Sequence, residues 1–363
     1  MKNKSIDITL FITVCIIALF GVLMIYSSSY VWADYKFNDP FKYLKNQGLF
    51  YIIGIILMYT FSKIDYKLYY KYSNKILFIS FFLLILVLIP GIGSVRNGSR
   101  SWFGIGSFGI QPSEFAKLGL IMFTAKYLNN NEYAMKNLKK GIIPILIITM
   151  LIFILIMLQP DFGTGFIIII TIVGLLFIAG LDIKIFIKFG IIGLIAISGL
   201  IIIAPYRLKR ILSFLDPWSD PLGSGFQIIQ SLYSIGPGGL FGLGIGNSIQ
   251  KHFYLPEPQT DFIFSIISEE FGFLGIVIIS FLFIIIFYTA LKISMKCNNL
   301  FGKYLSFGIT FGLIFQTILN LSVVVGLIPV TGVTLPFISY GGSSLLICMI
   351  SIGIILNISR EQK

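Results

Sequence analysis

The chain has 363 residues, 56% of them hydrophobic and only 12% charged, with a mean hydropathy of +0.94. A soluble domain carries about a quarter charged residues, so a water-soluble globule is excluded. The formal net charge of +12 would suggest nucleic acid in a soluble protein, but here the lysines cluster in short loops between apolar runs, as orientation in a membrane requires. No nucleic-acid partner is expected; membrane lipid is. Cys15, Cys297 and Cys348 lie in or beside apolar runs without metal-ligand spacing, so neither a disulfide framework nor a zinc site is indicated.

A membrane span needs roughly 20 apolar residues. Ten segments qualify: 8–27, 47–62, 75–91, 113–129, 141–158, 163–181, 185–204, 262–291, 304–325 and 338–358. The first follows Lys2 and Lys4, as the core of a signal peptide would. It is long enough to span and no small-x-small cleavage pattern ends it, so it reads as a retained span. Two segments are short, and the eighth is long enough to tilt. An even number of spans places both termini on one side. The inside placement puts 17 of the 27 basic residues there, mostly in short loops where the positive-inside rule has force. The expected fold is therefore all-α, a polytopic integral membrane protein forming one domain over 1–363, with ten transmembrane helices and both termini cytoplasmic. A large extracellular loop, 205–260, separates spans seven and eight.

Connections as long as that loop are usually functional. Two amphipathic pieces in it, 207–215 and 226–235, are too short to span and read as interfacial or re-entrant segments. The glycine-rich stretch 236–246 lacks the preceding strand of a dinucleotide site. It is read either as close backbone approach to something flat or charged, or as loop flexibility.

Ionisable groups at membrane depth are expensive and mark function. Gln111-Pro112-Ser113-Glu114-Phe115-Ala116-Lys117 opens the fourth span. Ser113 is placed to cap it, and Glu114 and Lys117, at i,i+3, to pair; Lys117 contacting a substrate phosphate is the alternative. In Gln159-Pro160-Asp161-Phe162-Gly163-Thr164, Asp161 is placed to cap the sixth span. The third cluster runs from Pro256-Glu257-Pro258-Gln259-Thr260-Asp261 into Ser265, Ser268, Glu269 and Glu270. On a helix, Asp261, Ser265, Ser268, Glu269 and Gly272 share one face, a polar stripe down an apolar span, with Glu269 about 12 Å below Asp261. A first-turn acid behind a Thr260 cap accounts for Asp261 but not for the stripe, and Asp261 is read as the chemical group. Glu269 and Glu270 are read as buried partners of Lys117 or of a base on another span.

The fourth cluster runs from Pro329 through Thr331, Pro336, Ser339, Gly341 and Gly342 to Ser343 and Ser344. Its prolines and glycine pair imply broken backbone, which membrane depth tolerates only inside protein or along a cavity; tight packing of small residues is the other account. Arg207 and Arg210, with Arg100 beside Trp102, are candidates to meet phosphate oxygens, or else snorkel to lipid headgroups. His252, the only histidine, reads as a surface-loop residue.

These clusters, in this order and on this topology, resemble the SEDS family (shape, elongation, division and sporulation), whose members include FtsW, RodA and SpoVE. The motifs are Asn97-Gly98 through Trp102, 111–117, 159–164, Phe214-Leu215-Asp216-Pro217-Trp218, Gly225-Phe226-Gln227 with Gln230-Ser231, 256–264 with Glu269-Glu270, and 331–344. The resemblance covers essentially the whole chain. It implies ten spans in a bacterial cytoplasmic membrane and peptidoglycan glycosyltransferase activity that polymerises lipid II on the outer face. The family's essential aspartate falls on Asp261 and its important tryptophan on Trp102. Arg100, Lys117, Arg207, Arg210, Gln227 and Ser343 are the further expected substrate contacts, with Glu114, Asp161, Glu269 and Glu270 in support. A class B penicillin-binding protein and other division, elongation or sporulation proteins are implied as partners. Gln259 stands where many members have histidine, and Ser101 separates Arg100 from Trp102. Both features, with Pro90-Gly91-Ile92-Gly93, look more like the division and sporulation branches than RodA.

The implied reaction joins a 4-hydroxyl to the anomeric carbon of a chain carried on undecaprenyl diphosphate, and it should invert. Asp261 suits the general base. Arginine and lysine side chains, or a divalent cation (Mg2+ or Mn2+) held by Asp261, suit the leaving pyrophosphate. The sequence leaves base and metal ligand both open, and the stripe on the eighth span is expected to wall a groove for the lipid-borne substrate. The rivals are a lipid II flippase, which broken spans also fit, and a non-enzymatic scaffold for a transpeptidase.

Overall fold

A computed structural model describes residues 5–96, 98–104, 109–131, 141–203 and 205–361. Lys2, Lys4, Lys136, Lys139, Lys140 and Lys363 of the inside-positive set, and Asn97 of the motifs, lie outside these residues, as does the side chain of Arg207.

Twelve α-helices account for most of the described chain: α1 (Ile8–Phe37), α2 (Lys42–Lys63), α3 (Lys67–Leu88), α4 (Pro112–Asn130), α5 (Ile143–Met157), α6 (Phe162–Ile178), α7 (Ile183–Ile203), α8 (Pro205–Leu215), α9 (Phe226–Ile235), α10 (Ile263–Lys296), α11 (Leu300–Val324) and α12 (Gly342–Arg360). Each apolar segment of the sequence coincides with one of α1–α7 or α10–α12. Six of these, α1, α2, α3, α10, α11 and α12, are long and apolar enough to cross a membrane, while α5 and α6 are shorter apolar helices. The protein is a multi-pass membrane protein. The amphipathic pieces of the long loop form α8 and α9, but the all-α expectation misses a small antiparallel hairpin, β1 (Ser94–Arg96) with β2 (Ser99–Trp102).

Burial divides the helices into an inner and an outer set. α12 is buried on nearly every side, and α11 packs against α4, α6, α10 and α12. Without a hydrophobic drive between helices in lipid, close packing is supplied by small residues. A Cβ at Gly353 would lie 2.6 Å from the Met58 carbonyl oxygen, and one at Gly308 2.8 Å from Ile121 and Leu175. α3 and α5 turn large apolar side chains outward, such as Phe78, which is 72% exposed, and Ile147.

Helix ends follow local chemistry, with one correction. Asp7 caps α1 through Leu10 N (3.0 Å), Asp161 caps α6 through Thr164 N (3.1 Å) and Asn299 caps α11 through Gly302 N (3.1 Å). Ser113 does not cap α4: Gln111 holds that position without a side-chain bond and Pro112 opens the helix, which leaves Ser113 inside the first turn and buried. Proline is preorganised there and has no N–H to leave unpaired.

The second correction concerns α10, which is not one tilted helix. Gly272 adopts φ 63°, ψ −159°, and breaks it. The glycine-rich stretch enters the gap: Leu243 N and Gly244 N donate to the carbonyls of Glu269 (2.9 Å) and Glu270 (3.0 Å), and Phe273 N and Leu274 N donate to those of Gly239 (2.9 Å) and Leu240 (3.1 Å). The close backbone approach expected of these glycines is thus to the chain itself. A Cβ on Gly272 would sit 2.4 Å from Gly242 N and 2.7 Å from Gly238 O. Gly272→Ala combines a left-handed φ with that clash and should destabilise the fold by about 2–4 kcal/mol. Thermal unfolding in detergent checks it, and an unchanged midpoint would contradict the packing described.

Candidate active site

The four polar clusters of the sequence meet at one end of the bundle. α11 ends at Val324 and α12 begins only at Gly342; the irregular chain between them is held by side chains from several helices. Asn320 Nδ2 donates to the carbonyls of Val333 and Asp261, both at 2.7 Å. Gln316 Nε2 donates to Thr334 O (3.0 Å), Gln47 Nε2 to Ser339 O (3.4 Å) and Arg210 to Val330 O (3.2 Å). Tyr340 N donates to Gln259 O (2.8 Å), and the Tyr340 ring meets Tyr43 edge-on at 4.9 Å. α1 closes the far side: a Cβ at Gly21 would be 2.7 Å from Ile338 Cα. The broken backbone is therefore wrapped in protein, as its polar groups demand.

Asp261 lies on this floor, two residues before α10 begins at Ile263. It is half-buried and, contrary to the first-turn expectation, sits in the turn ahead of the helix. Thr260 does not cap the helix; its single hydroxyl proton is shared between Asp261 Oδ1 (2.9 Å) and Glu257 O (2.7 Å). Burial raises the Asp261 carboxyl above its ordinary range, and the Glu257 charge adds to this; the Thr260 hydroxyl, its own backbone N–H and the Arg210 guanidinium pull the other way. Among the described residues no cation lies within ion-pair distance of Asp261.

The other acids are each engaged. Glu114 Oε2 is 2.7 Å from Lys117 Nζ, which also donates to Gln316 Oε1 (2.9 Å), and both charged side chains are buried. Asp161 caps α6 and accepts from Gln111 Nε2 (3.0 Å). Glu269 and Glu270 do not pair with Lys117 or with a base on another span. Glu269 accepts from the Ser248 hydroxyl and the backbone of 249–250, and Glu270 pairs with Lys251 (3.0 Å) from the long loop. This corrects the stripe as well: Ser265 bonds Ser231 of α9 (2.7 Å), and the face below Asp261 is covered by 231–251 rather than lining an open groove.

The remaining candidates make their contacts away from Asp261. Ser343 is buried; it accepts from Gln111 N (3.2 Å) and donates to Gly109 O (2.6 Å), tying the hairpin side to α12. Trp102 carries the Arg96 guanidinium over its ring at 5.0 Å, a contact sequence reasoning missed, while Arg100 reaches Leu88 O at 3.5 Å. Gln227 is half-buried on α9, and His252 is exposed in a turn. Asn320 and Gln316 were also missed; a polar amide inside an apolar run was the available signal. Among the described residues no three His, Cys, Asp or Glu side chains gather to hold a metal ion. Asp261 and Glu257 fit a hard cation only in the mode where substrate phosphates and water complete its shell.

The family described as "Cell cycle protein", that of FtsW, RodA and SpoVE, matches residues 7–363. Stage V sporulation protein E of Bacillus subtilis (strain 168) is 51% identical over 362 residues, covering 100% of this chain and 99% of that one. A probable peptidoglycan glycosyltransferase FtsW of Geobacter sp. (strain M18) is 39% identical with the same coverage. Among solved structures, a chain described under "Structural coordination of polymerization and crosslinking by a peptidoglycan synthase complex" superposes with TM-score 0.78 at 29% identity, covering 98% of both chains. The rod shape determining protein RodA of Thermus thermophilus superposes with TM-score 0.70 at 27% identity, covering 98% of this chain and 97% of that one. The chain belongs to the FtsW/RodA/SpoVE family of cell cycle proteins.

Proposed function

We infer that the protein is a peptidoglycan glycosyltransferase of cell-wall synthesis that polymerises lipid II at the outer face of the cytoplasmic membrane. In this reading α1–α7 and α10–α12 are ten crossings of a single domain with both termini inside, and 205–260 lies outside. The observation that carries the catalytic assignment is the state of Asp261. It is a half-buried carboxylate at the bundle's polar end with no ion-pair partner among the described residues, while Glu114, Asp161, Glu269 and Glu270 are all consumed in structure.

Asp261 takes the proton of the acceptor 4-hydroxyl as that oxygen bonds to the anomeric carbon and the bond to undecaprenyl diphosphate breaks, inverting the centre. Arg210, exposed and anchored on Val330 O of the irregular chain, meets the leaving pyrophosphate, with Arg207 one turn earlier on α8 as the second cation. A divalent cation (Mg2+ or Mn2+) shared with the pyrophosphate would offset the same charge. Trp102, Arg100 and Gln227 contact the glycan or its carrier. Lys117 and Ser343 hold the floor in place. A class B penicillin-binding protein is the proposed partner, since the synthase complex named above couples polymerisation to crosslinking.

Purified protein given lipid II in detergent should form glycan strands. Their absence, alone and with the partner, would favour a flippase or a scaffold. The rate should fall as pH drops through the Asp261 pKa, because a protonated carboxyl accepts no proton. Burial and Glu257 place that limb above the roughly 3.9 of an unperturbed aspartate. Glu257→Gln should move it down and Arg210→Gln up, as an initial-rate pH profile would show.

A further inference from the structure

Lys251 and Glu270 are each fully withdrawn from solvent, with Nζ 3.0 Å from Oε1. The Ser27 hydroxyl on α1 reaches both Glu270 oxygens at 2.7 Å, Ser248 N approaches Oε1 at 3.4 Å, and the Tyr30 ring faces the ammonium at 5.0 Å. Next door, Glu269 receives Ser248 Oγ (2.6 Å), Ile249 N (2.8 Å) and Gln250 N (3.5 Å). Residues 248–251 are thus fastened by side chains to α10 just before its break at Gly272. The chain leaving this fastening is folded by Leu255 N to Gln250 O (2.9 Å) and Thr260 N to Glu257 O (3.1 Å), and it returns to the start of the same helical stretch at Asp261. The turn that bears Asp261 is therefore held at both ends by residues 261–270.

Burying two charges is costly, and a well-packed apolar pair of similar volume is often at least as stable. An apolar pair, however, fixes no direction or register, whereas a charge-assisted hydrogen bond does. We propose that the Lys251–Glu270 pair, with Glu269 beside it, is a positioning device that sets the register of the Asp261 turn on α10. The proposal rests on the glycosyltransferase reading above. Lys251 touches no reacting atom; it acts through the geometry of the loop it begins.

The test is the double variant Lys251→Met with Glu270→Gln, which removes both charges and keeps an amide partner for Ser27 and Ser248 N. Polymerisation of lipid II is measured in detergent beside the thermal midpoint. The expected result is a midpoint close to wild type, an unchanged KM for lipid II and a kcat lower by about tenfold to a hundredfold, the scale of a displacement near 1 Å at a reacting group. Wild-type kcat in a folded double variant overturns the proposal. Should the double variant not fold, Lys251→Arg decides: it keeps the charge contact but lengthens it, so a severalfold lower kcat with unchanged KM and midpoint supports positioning, and wild-type kcat overturns it. A wild-type chain that forms no strands would instead sink the enzymatic reading itself, so the two failures are distinguishable.

Discussion

Asp261→Asn should lower lipid II polymerisation by about 10²–10⁴-fold, the usual contribution of a positioned general base, while the protein stays folded. The substitution keeps the shape of the side chain and its bond with Thr260. It removes the charge that accepts the proton. The same change carries a second, opposite signature in stability. Because burial raises the Asp261 pKa, the folded state holds that proton more tightly than the unfolded state. The stabilisation from this group is complete below the unfolded value near 3.9 and is lost as pH rises through the folded value. At neutral pH the ionised side chain is therefore a burden on the fold, and the asparagine variant should melt at the same or a higher temperature. Loss of activity together with a lower melting temperature would mark Asp261 as structural.

Lys117 should behave in the reverse way. Its ammonium neutralises Glu114 and donates to Gln316, whose own amide supports Thr334 in the irregular chain below Asp261. Lys117→Met strands a buried carboxylate and should cost about 3–5 kcal/mol, whereas Lys117→Met with Glu114→Gln should recover most of it. Thermal unfolding of the two variants checks this. A single variant as stable as wild type yet inactive would return Lys117 to the role of a phosphate contact.

The difference between these residues shows what the sequence could and could not reveal. Apolar run length located α1–α7 and α10–α12, because a helix that buries or faces lipid on every side needs such a run and little else. Amphipathicity found α8 and α9 inside a loop, and capping chemistry found Asp161. The break at Gly272 was hidden because a glycine in an apolar run looks like ordinary helix packing; its meaning depends on Gly238–Gly242, some thirty residues upstream, entering the gap. Lys251 drew no reading from the sequence, and only the folded chain brings Glu270 to it. The hairpin Ser94–Trp102 is too short for strand periodicity to register, and with it went the Arg96–Trp102 contact. Asp261 itself was legible, since a carboxylate opening an apolar span needs a reason. Its neighbour Asn320 was not, because it reaches Asp261 through a backbone carbonyl that has left the helix.

The location of that carboxylate is open to direct measurement. With Cys15, Cys297 and Cys348 replaced by serine, Asp261→Cys can be treated in intact cells with a membrane-impermeant thiol reagent. Labelling from outside, reduced when lipid II occupies the protein, is the expected result. Labelling only after the membrane is opened, or none even in detergent, would contradict a reactive group at the outer mouth of the bundle.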